Sequence, residues 1–197
     1  MITKTIEYWN LTQLVKERIA KDPVDAFKLK HFGIDWKINI FKSAKDEVLQ
    51  IYDKKTCITC IGGSSADKYE WRSNFNAFPL VDGLMHRGFY NGASEVYSSP
   101  KFIRRKTMIY DGHSRGGAIS SVMIYRFGGR GIGYGTPKAF FKRVIINFVN
   151  VRNNLDPVVH VVPFFKTVGE VIKIKFAKNP HTKYGDNIDP EEIVEWK

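Results

Sequence analysis

The stretch Ile109-Tyr110-Asp111-Gly112-His113-Ser114-Arg115-Gly116-Gly117-Ala118 carries the strongest structural signal in the chain. It contains the pattern Gly-x-Ser-x-Gly, with a strand-like segment before it and small and apolar residues after it. A serine in this pattern lies on a sharp turn between a strand and a helix, where flanking glycines let the two backbones approach without a clash. The sequence therefore predicts a strand at residues 107–110, a turn at Ser114 and a helix at residues 116–127.

Strands and helices alternate on both sides of this turn. Apolar runs predict further strands at residues 131–135, 144–151 and 171–176, and a helix at residues 93–98. Strands that alternate with helices favour a parallel sheet with right-handed crossovers. The middle of the chain is therefore predicted to form a mostly parallel central sheet that is flanked by helices.

The region before residue 62 has a different pattern. Trp36, Ile38 and Ile40 alternate with polar residues, and the charged turn Asp53-Lys54-Lys55 joins two apolar runs. This pattern favours antiparallel strands at one edge of the sheet. A helix is predicted at residues 11–21. With 197 residues and no linker, the chain is expected to form a single α/β domain over residues 1–197.

Ser114 needs a base before it can act as a nucleophile, and the usual base is a histidine oriented by a carboxylate. In the α/β-hydrolase fold the chain order is serine, acid, histidine. Asp156 follows an apolar strand, where functional groups gather in open α/β sheets. His181 lies in a polar loop and is the preferred base, with His160 in an apolar run as the alternative. Two weaker acids follow the histidine, namely Asp186 and Asp189.

An acyl-transfer site also needs two donors for the oxyanion. The backbone amide of Arg115, the residue after the nucleophile, is one candidate. The segment Gly63-Ser64, which follows an apolar strand, is the candidate for the second, with a simple glycine turn as the alternative.

Other polar residues receive less specific interpretations. Cys57 and Cys60 lie three apart in a predicted strand, so they point to opposite faces and are expected to be ordinary buried cysteines. No metal site and no cofactor is expected. His113 is assigned to the turn around Ser114, whereas no role is assigned to His31 or His86.

The chain carries a formal net charge of +11, which favours anionic partners. An anionic membrane surface is a candidate partner, and a dedicated nucleic-acid partner is not expected because no basic run is long enough. The first residues lack the apolar core of a secretory signal, and no segment approaches the ~18 apolar residues of a membrane span. These features predict synthesis in the cytosol, with the protein either cytoplasmic or released without a signal peptide. Nothing in the sequence indicates an oligomeric state.

Together, these segments resemble the class 3 lipase family, the fungal-type triacylglycerol lipases, over roughly residues 55–185. The similar blocks occur in the family's order: residues 58–65, Trp71, His86-Arg87-Gly88-Phe89, residues 112–118, Gly133-Tyr134-Gly135-Thr136-Pro137, and residues 154–163. The ordered set is far more specific than any single block.

The resemblance implies an α/β-hydrolase fold and a serine ester hydrolase that acts on acylglycerols or related lipids without a metal or organic cofactor. It implies Ser114 as nucleophile, Asp156 as acid and His181 as base, with Ser64 and Arg115 as the oxyanion pair. The same chemistry would serve a phospholipase, a thioesterase or a peptidase. A non-catalytic module that binds lipid or nucleic acid is the alternative outside enzymes.

The chain departs from the family's pattern at several points. Arg115 stands where leucine is usual and is expected to place a charge beside the nucleophile. Gly62 stands where the family has arginine, and the chain is shorter than typical members. The aromatic segment at residues 69–78 is a candidate lid or acyl contact.

Overall fold

The computed structural model describes residues 21–43, 46–62 and 80–174, together with His181 and Tyr184. Its elements, in chain order, are α1 (Lys21–His31), β1 (Lys37–Ser43), β2 (Asp46–Tyr52), β3 (Thr56–Ile61), α2 (Arg87–Ser98), β4 (Thr107–His113), α3 (Arg115–Phe127), β5 (Arg130–Tyr134), β6 (Phe148–Asn153), a 3-10 helix (Pro157–His160) and β7 (Glu170–Ile174).

The strands form one seven-stranded sheet in the order β1-β2-β3-β4-β5-β6-β7. β1, β2 and β3 pair antiparallel, whereas every pair from β3 to β7 is parallel. The predicted fold class is therefore confirmed: a mostly parallel sheet with antiparallel strands at one edge.

Helices cover both faces of the sheet because successive strand residues point to opposite sides. In β4, Ile109 belongs to the core that also contains Val24 of α1. Its neighbour Tyr110 belongs to the opposite core, which contains Phe89 of α2 and Ile119 of α3. The sheet is thus the middle of three layers, and α2 and α3 share one face.

Several predicted boundaries were wrong. α2 begins at Arg87 rather than at residue 93, because the Nδ1 atom of His86 accepts a hydrogen bond of 3.1 Å from the backbone of Gly88 and caps the helix. β4 extends to His113, and β6 begins at Phe148 rather than at residue 144.

Most of the predicted helix at residues 11–21 lies outside the described residues. α1 tolerates Pro23 because an amide in the first turn of a helix has no partner within that helix.

Cys57 and Cys60 are both buried and free, as expected. Cys57 accepts a hydrogen bond of 3.3 Å from the side chain of Gln50, whereas Cys60 lies 3.5 Å from the carboxylate of Asp111. Within the described residues, no group of three or more histidines, cysteines or acids could hold a metal ion. None of the helices described here is long and apolar enough to cross a membrane.

The carboxyl ends of the parallel strands meet along one edge of the sheet. Ile61 of β3 pairs with Gly112, and Tyr134 of β5 pairs with both His113 and Val151. The ends of these strands are therefore neighbours, and in open α/β sheets ligands bind at this edge.

Candidate active site

Ser114 lies on the turn between β4 and α3, with a φ of 54° and a ψ of −125°. Its backbone N–H donates a hydrogen bond of 2.8 Å to the carbonyl of Tyr134, and its own carbonyl accepts one of 3.2 Å from Ala118. A positive φ is uncommon for a residue with a side chain, and such strained backbone clusters at functional sites. The sharp turn predicted from the Gly-x-Ser-x-Gly pattern is therefore present.

The glycines of the pattern are required by close backbone packing. A Cβ atom on Gly112 would lie 2.4 Å from the carbonyl carbon of Gly116, and one on Gly116 would lie 2.0 Å from the carbonyl oxygen of Ile61. Neither position has room for a methyl group. The first turn of α3 consequently lies directly on the end of β3.

Asp156 and His181 are joined by a hydrogen bond. Asp156 is completely buried in the loop after β6, and its Oδ1 atom accepts a bond of 2.8 Å from the backbone of Val158. Its Oδ2 atom lies 2.8 Å from Nδ1 of His181. Because the carboxylate accepts, Nδ1 carries the proton and Nε2 is left as the acceptor of the ring. That tautomer is the one that a general base requires.

Tyr184 is a third member of this group that the sequence analysis missed. Its hydroxyl donates a bond of 2.5 Å to the same Oδ2 atom of Asp156 and lies 3.3 Å from the backbone N–H of Asn153, whose bond it accepts. Burial first, and the nearby Asp156 second, raise the pKa of Tyr184, so its hydroxyl stays a donor. The only signal in the sequence is its position three residues after His181.

His113 connects this group to the turn that carries Ser114. Its Nε2 atom donates a bond of 2.7 Å to the backbone carbonyl of His181, and the two imidazole rings lie 4.5 Å apart. His113 directly precedes Ser114 in the chain. The structure thus brings the segments of Ser114, Asp156 and His181 together at the carboxyl edge of the sheet.

The alternative histidines lie elsewhere. His160 is exposed, and its ring is bonded to the backbone carbonyl of Asn154 at 3.0 Å. His86 caps α2, and His31 lies on α1 with its ring 4.3 Å from that of Phe27. The other candidates, namely Ser64, Asp186, Asp189 and the aromatic segment at residues 69–78, lie outside the described residues.

Arg115 does not place an uncompensated charge beside Ser114, which corrects the expectation from the sequence. Its guanidinium group forms a two-point ion pair with Asp46 at the start of β2, with distances of 3.0 and 3.1 Å. Both side chains are buried, so the charge of Arg115 is neutralised within the protein. The backbone amide of Arg115 begins α3.

Comparisons with known proteins give matches by structure. No protein-family model matches the chain, and no curated protein matches it by sequence. The Rhizomucor miehei lipase, solved as a propeptide complex, matches with a TM-score of 0.60 and 18% identity over 85% of this chain and 66% of its own. A triacylglycerol lipase with a serine protease triad as its catalytic centre matches with a TM-score of 0.58 and 17% identity, over 88% and 79% of the two chains.

The nonglycosylated LIP2 lipase of Yarrowia lipolytica also matches, with a TM-score of 0.58 and 14% identity over 87% of this chain and 77% of its own. The chain spans slightly less than two thirds of the length of the two Rhizomucor lipase structures, at 66% and 65%. These TM-scores establish a shared architecture despite the low sequence identities. The chain therefore has the α/β-hydrolase fold of the fungal class 3 triacylglycerol lipases.

Proposed function

We propose that this chain is a serine hydrolase of carboxylic esters, with Ser114 as nucleophile, His181 as general base and Asp156 as the acid that orients it. The main support is the 2.8 Å bond between Nδ1 of His181 and Asp156, in a segment that His113 ties to the strained turn of Ser114. A buried carboxylate that holds an imidazole in the Nε2-acceptor tautomer is the arrangement that a serine nucleophile needs.

The proposed reaction has two acyl-transfer steps. Ser114 attacks the ester carbonyl while His181 takes its proton, and the oxyanion is stabilised by the amides of Arg115 and Ser64. His181 then protonates the leaving alcohol, which leaves an acyl-enzyme. Water attacks the acyl-enzyme with His181 again as base, and this step releases the acid and restores Ser114. The proposal requires no metal or organic cofactor.

The proposed substrates are esters of lipids, since the similar structures described above are those of lipases, one of them a triacylglycerol lipase. A phospholipase or a thioesterase would use the same residues on another acyl group. A panel of esters and thioesters with matched acyl chains separates these activities. A non-catalytic binding module would process none of them.

The central test compares Ser114→Ala with Ser121→Ala. Both serines lie at or in α3, but the hydroxyl of Ser121 is buried and bonded to the carbonyl of Ala118 at 2.7 Å. Ser114→Ala is expected to lose at least about 10³-fold in kcat on p-nitrophenyl esters and all covalent labelling by a fluorophosphonate. Ser121→Ala is expected to keep both. Full activity in Ser114→Ala would contradict the proposal.

The connections before and after β6 carry an exposed basic surface. Two adjacent segments form it, because the backbone of Lys166 bonds to the carbonyl of Phe140 at 2.7 Å. Phe164 within it is 74% exposed. The cations of this basic surface are Lys138, Lys142, Arg143 and Lys166.

Burial first, and the nearby cations Arg152 and Lys166 second, lower the pKa of Lys138. Lys138 therefore lies close enough to these two cations to be repelled by them. We propose that this surface docks on anionic phospholipid, because cations attract the headgroups while an exposed aromatic ring inserts between them.

Two pairs of cations in different connections allow a matched test of this docking. The variant Lys142→Glu with Arg143→Glu changes charge on the basic surface, whereas Lys54→Glu with Lys55→Glu makes the same change in the turn before β3. Only the first pair is expected to reduce binding to vesicles that contain phosphatidylglycerol, and added salt should weaken the wild-type binding. Equal losses in both pairs would indicate nonspecific attraction and contradict a docking surface.

A further inference from the structure

The ion pair between Arg115 and Asp46 joins two residues that lie 69 positions apart in the chain. Nε of Arg115 lies 3.0 Å from Oδ1 of Asp46, and Nη2 lies 3.1 Å from Oδ2. Asp46 is 2% exposed and Arg115 is 9% exposed. Removing two charges from water is costly, so a buried pair is weak evidence for a role in stability alone. Its position suggests another role.

Asp46 lies at the edge of the sheet that carries the proposed site. β2 runs antiparallel to β3, so the start of β2 is beside the end of β3. The carbonyl of Glu47, the next residue, accepts a bond of 2.9 Å from the backbone N–H of Gly62. Gly62 directly precedes Gly63-Ser64, the segment proposed for one oxyanion donor. The start of β2 therefore holds the chain that leads into that segment.

Arg115 begins α3 and supplies the other proposed donor, its backbone amide. Gly116 packs against the carbonyl of Ile61, so the first turn of α3 rests on β3. A Cβ atom on Gly92 of α2 would lie 3.0 Å from Nη2 of Arg115, so glycine there leaves room for the guanidinium group. The side chain of Arg115 is thus enclosed between α2 and β2.

We propose that Arg115 and Asp46 form a brace that positions the Arg115 amide for the oxyanion; we call this pair the Asp46–Arg115 brace. Asp46 would then set the position of the donor amide of Arg115 relative to β2. Both braced side chains are positioning residues, since their charged groups bind each other inside the protein. The inference rests on the proposed function, because only an acyl-transfer site has an oxyanion to stabilise.

Donor position matters for rate because an oxyanion hole works only when its N–H groups are already aimed at the developing charge. A displacement of about 1 Å can cost about 100-fold. A helix that begins at the donor itself can shift or fray at its first residue. A two-point ion pair holds that residue in both distance and angle, since the guanidinium fork matches the carboxylate.

The test uses Arg115→Lys and Asp46→Asn. Lysine keeps the charge but loses the two-point geometry, and asparagine keeps the shape of aspartate but removes its negative charge. Neither variant removes the positive charge at position 115. A loss of kcat in both variants therefore reports the geometry of the ion pair. A rise in kcat in Asp46→Asn would show instead that the charge itself acts on the oxyanion, and this result would overturn the brace. If Asp46→Asn does not fold, Arg115→Lys still tests the brace.

The measurements are kcat and KM on p-nitrophenyl esters, the affinity for an alkyl boronic acid, and Tm. The boronic acid forms a tetrahedral adduct with Ser114 whose oxygen occupies the oxyanion site. Both variants are expected to lose about 10- to 100-fold in kcat and in boronic acid affinity. KM is expected to change by less than about threefold, because the brace acts on the transition state rather than on substrate binding.

Gln50→Leu is the matched structural control. Gln50 lies on the same strand, is completely buried and bonds to Thr59 at 3.1 Å and to the carbonyl of Ile103 at 3.0 Å. Its loss is expected to lower Tm without changing kcat or boronic acid affinity. A brace with a purely structural role would give the same result as Gln50→Leu, and that outcome would overturn the inference.

The two proposals fail in different ways. An active, fluorophosphonate-labelled wild type whose Arg115→Lys variant keeps its kcat and boronic acid affinity overturns the brace alone. A wild type that is inactive on every ester and unlabelled by the probe overturns the proposed function and the brace with it.

Discussion

Gly135, the residue after β5, shows how closely the acid is enclosed. Its φ is +55°, and a Cβ atom there would lie 2.7 Å from Oδ2 of Asp156 and 3.0 Å from the hydroxyl of Tyr184. The first of these atoms is bonded to Nδ1 of His181, and the second donates its hydrogen bond to the first. Only glycine satisfies both the backbone angle and the contact.

Gly135→Ala is expected to lower kcat by about 100-fold, because the methyl group displaces Asp156 and with it His181. Gly128→Ala is the matched control, since its φ is +76° but nothing lies within 4 Å of its Cβ position. It should cost about 1–2 kcal/mol of unfolding free energy through the backbone angle alone and leave kcat unchanged. Ester kinetics and urea unfolding measure the two effects. A Gly135→Ala variant with wild-type kcat would show that the acid is not confined by this glycine.

At the scale of elements, the site depends on the distance between α3 and the sheet. A Cβ atom on Gly116 would lie 2.0 Å from the carbonyl oxygen of Ile61, a backbone atom that cannot rotate away. A Cβ atom on Gly117 would lie 2.3 Å from Oγ1 of Thr136, which is the end of a side chain. A methyl group would therefore clash with a backbone atom at Gly116 and with a side-chain atom at Gly117.

Gly116→Ala is expected to lose more than about 3 kcal/mol of unfolding free energy, at the upper end of overpacking effects, because α3 must move off β3. Gly117→Ala should lose less, and the added change Thr136→Ala should restore part of that loss by removing Oγ1. Thermal and urea unfolding are measured for Gly116→Ala, for Gly117→Ala and for each of these variants with Thr136→Ala added. If Thr136→Ala rescued Gly116→Ala equally well, the proposed difference between backbone and side-chain contacts would be wrong.

At the scale of the whole molecule, several weak acids are buried in the two cores. Burial raises the pKa of Cys57 from 9.0 to about 11. Burial also raises the pKa values of three other groups, those of Cys60, Tyr110 and Tyr184. In the unfolded chain these groups regain their ordinary values near 9 and 10. The folded state therefore binds more protons than the unfolded state in alkaline solution.

The sign of the effect follows from these raised pKa values. The stabilising contribution is fully present below pH 9 and is lost as the pH rises from 9 through the folded-state values. Urea unfolding between pH 8 and 11 is expected to show a falling midpoint above pH 9. Cys57→Ala should reduce the slope of that fall, whereas Val48→Ala, an apolar core change, should lower stability at every pH and keep the slope. A flat profile to pH 11 would contradict the burial of these groups.

Local sequence patterns were enough for the order of the strands and for the turn at Ser114, whereas the helix α1 (Lys21–His31) was not predicted. Strand alternation and apolar helix faces depend on neighbouring residues, so the parallel middle and antiparallel edge were predicted correctly. The pairing of Asp156 with His181 was predicted because chain order and strand ends restrict where an acid and a base can meet. Helix starts were less predictable, since a cap such as His86 acts through a single side-chain contact.

The tertiary structure alone decided the contacts between distant segments. Tyr184 bonds to Asp156 across 28 positions, His113 to His181 across 68, and Arg115 to Asp46 across 69. Periodicity and spacing encode how each segment is shaped, but which side chains meet depends on strand register and on the path of the chain between them. For that reason the sequence by itself determined the class of fold and the candidates for the reactive residues, while the positions of their supporting partners emerged only when the chain was folded.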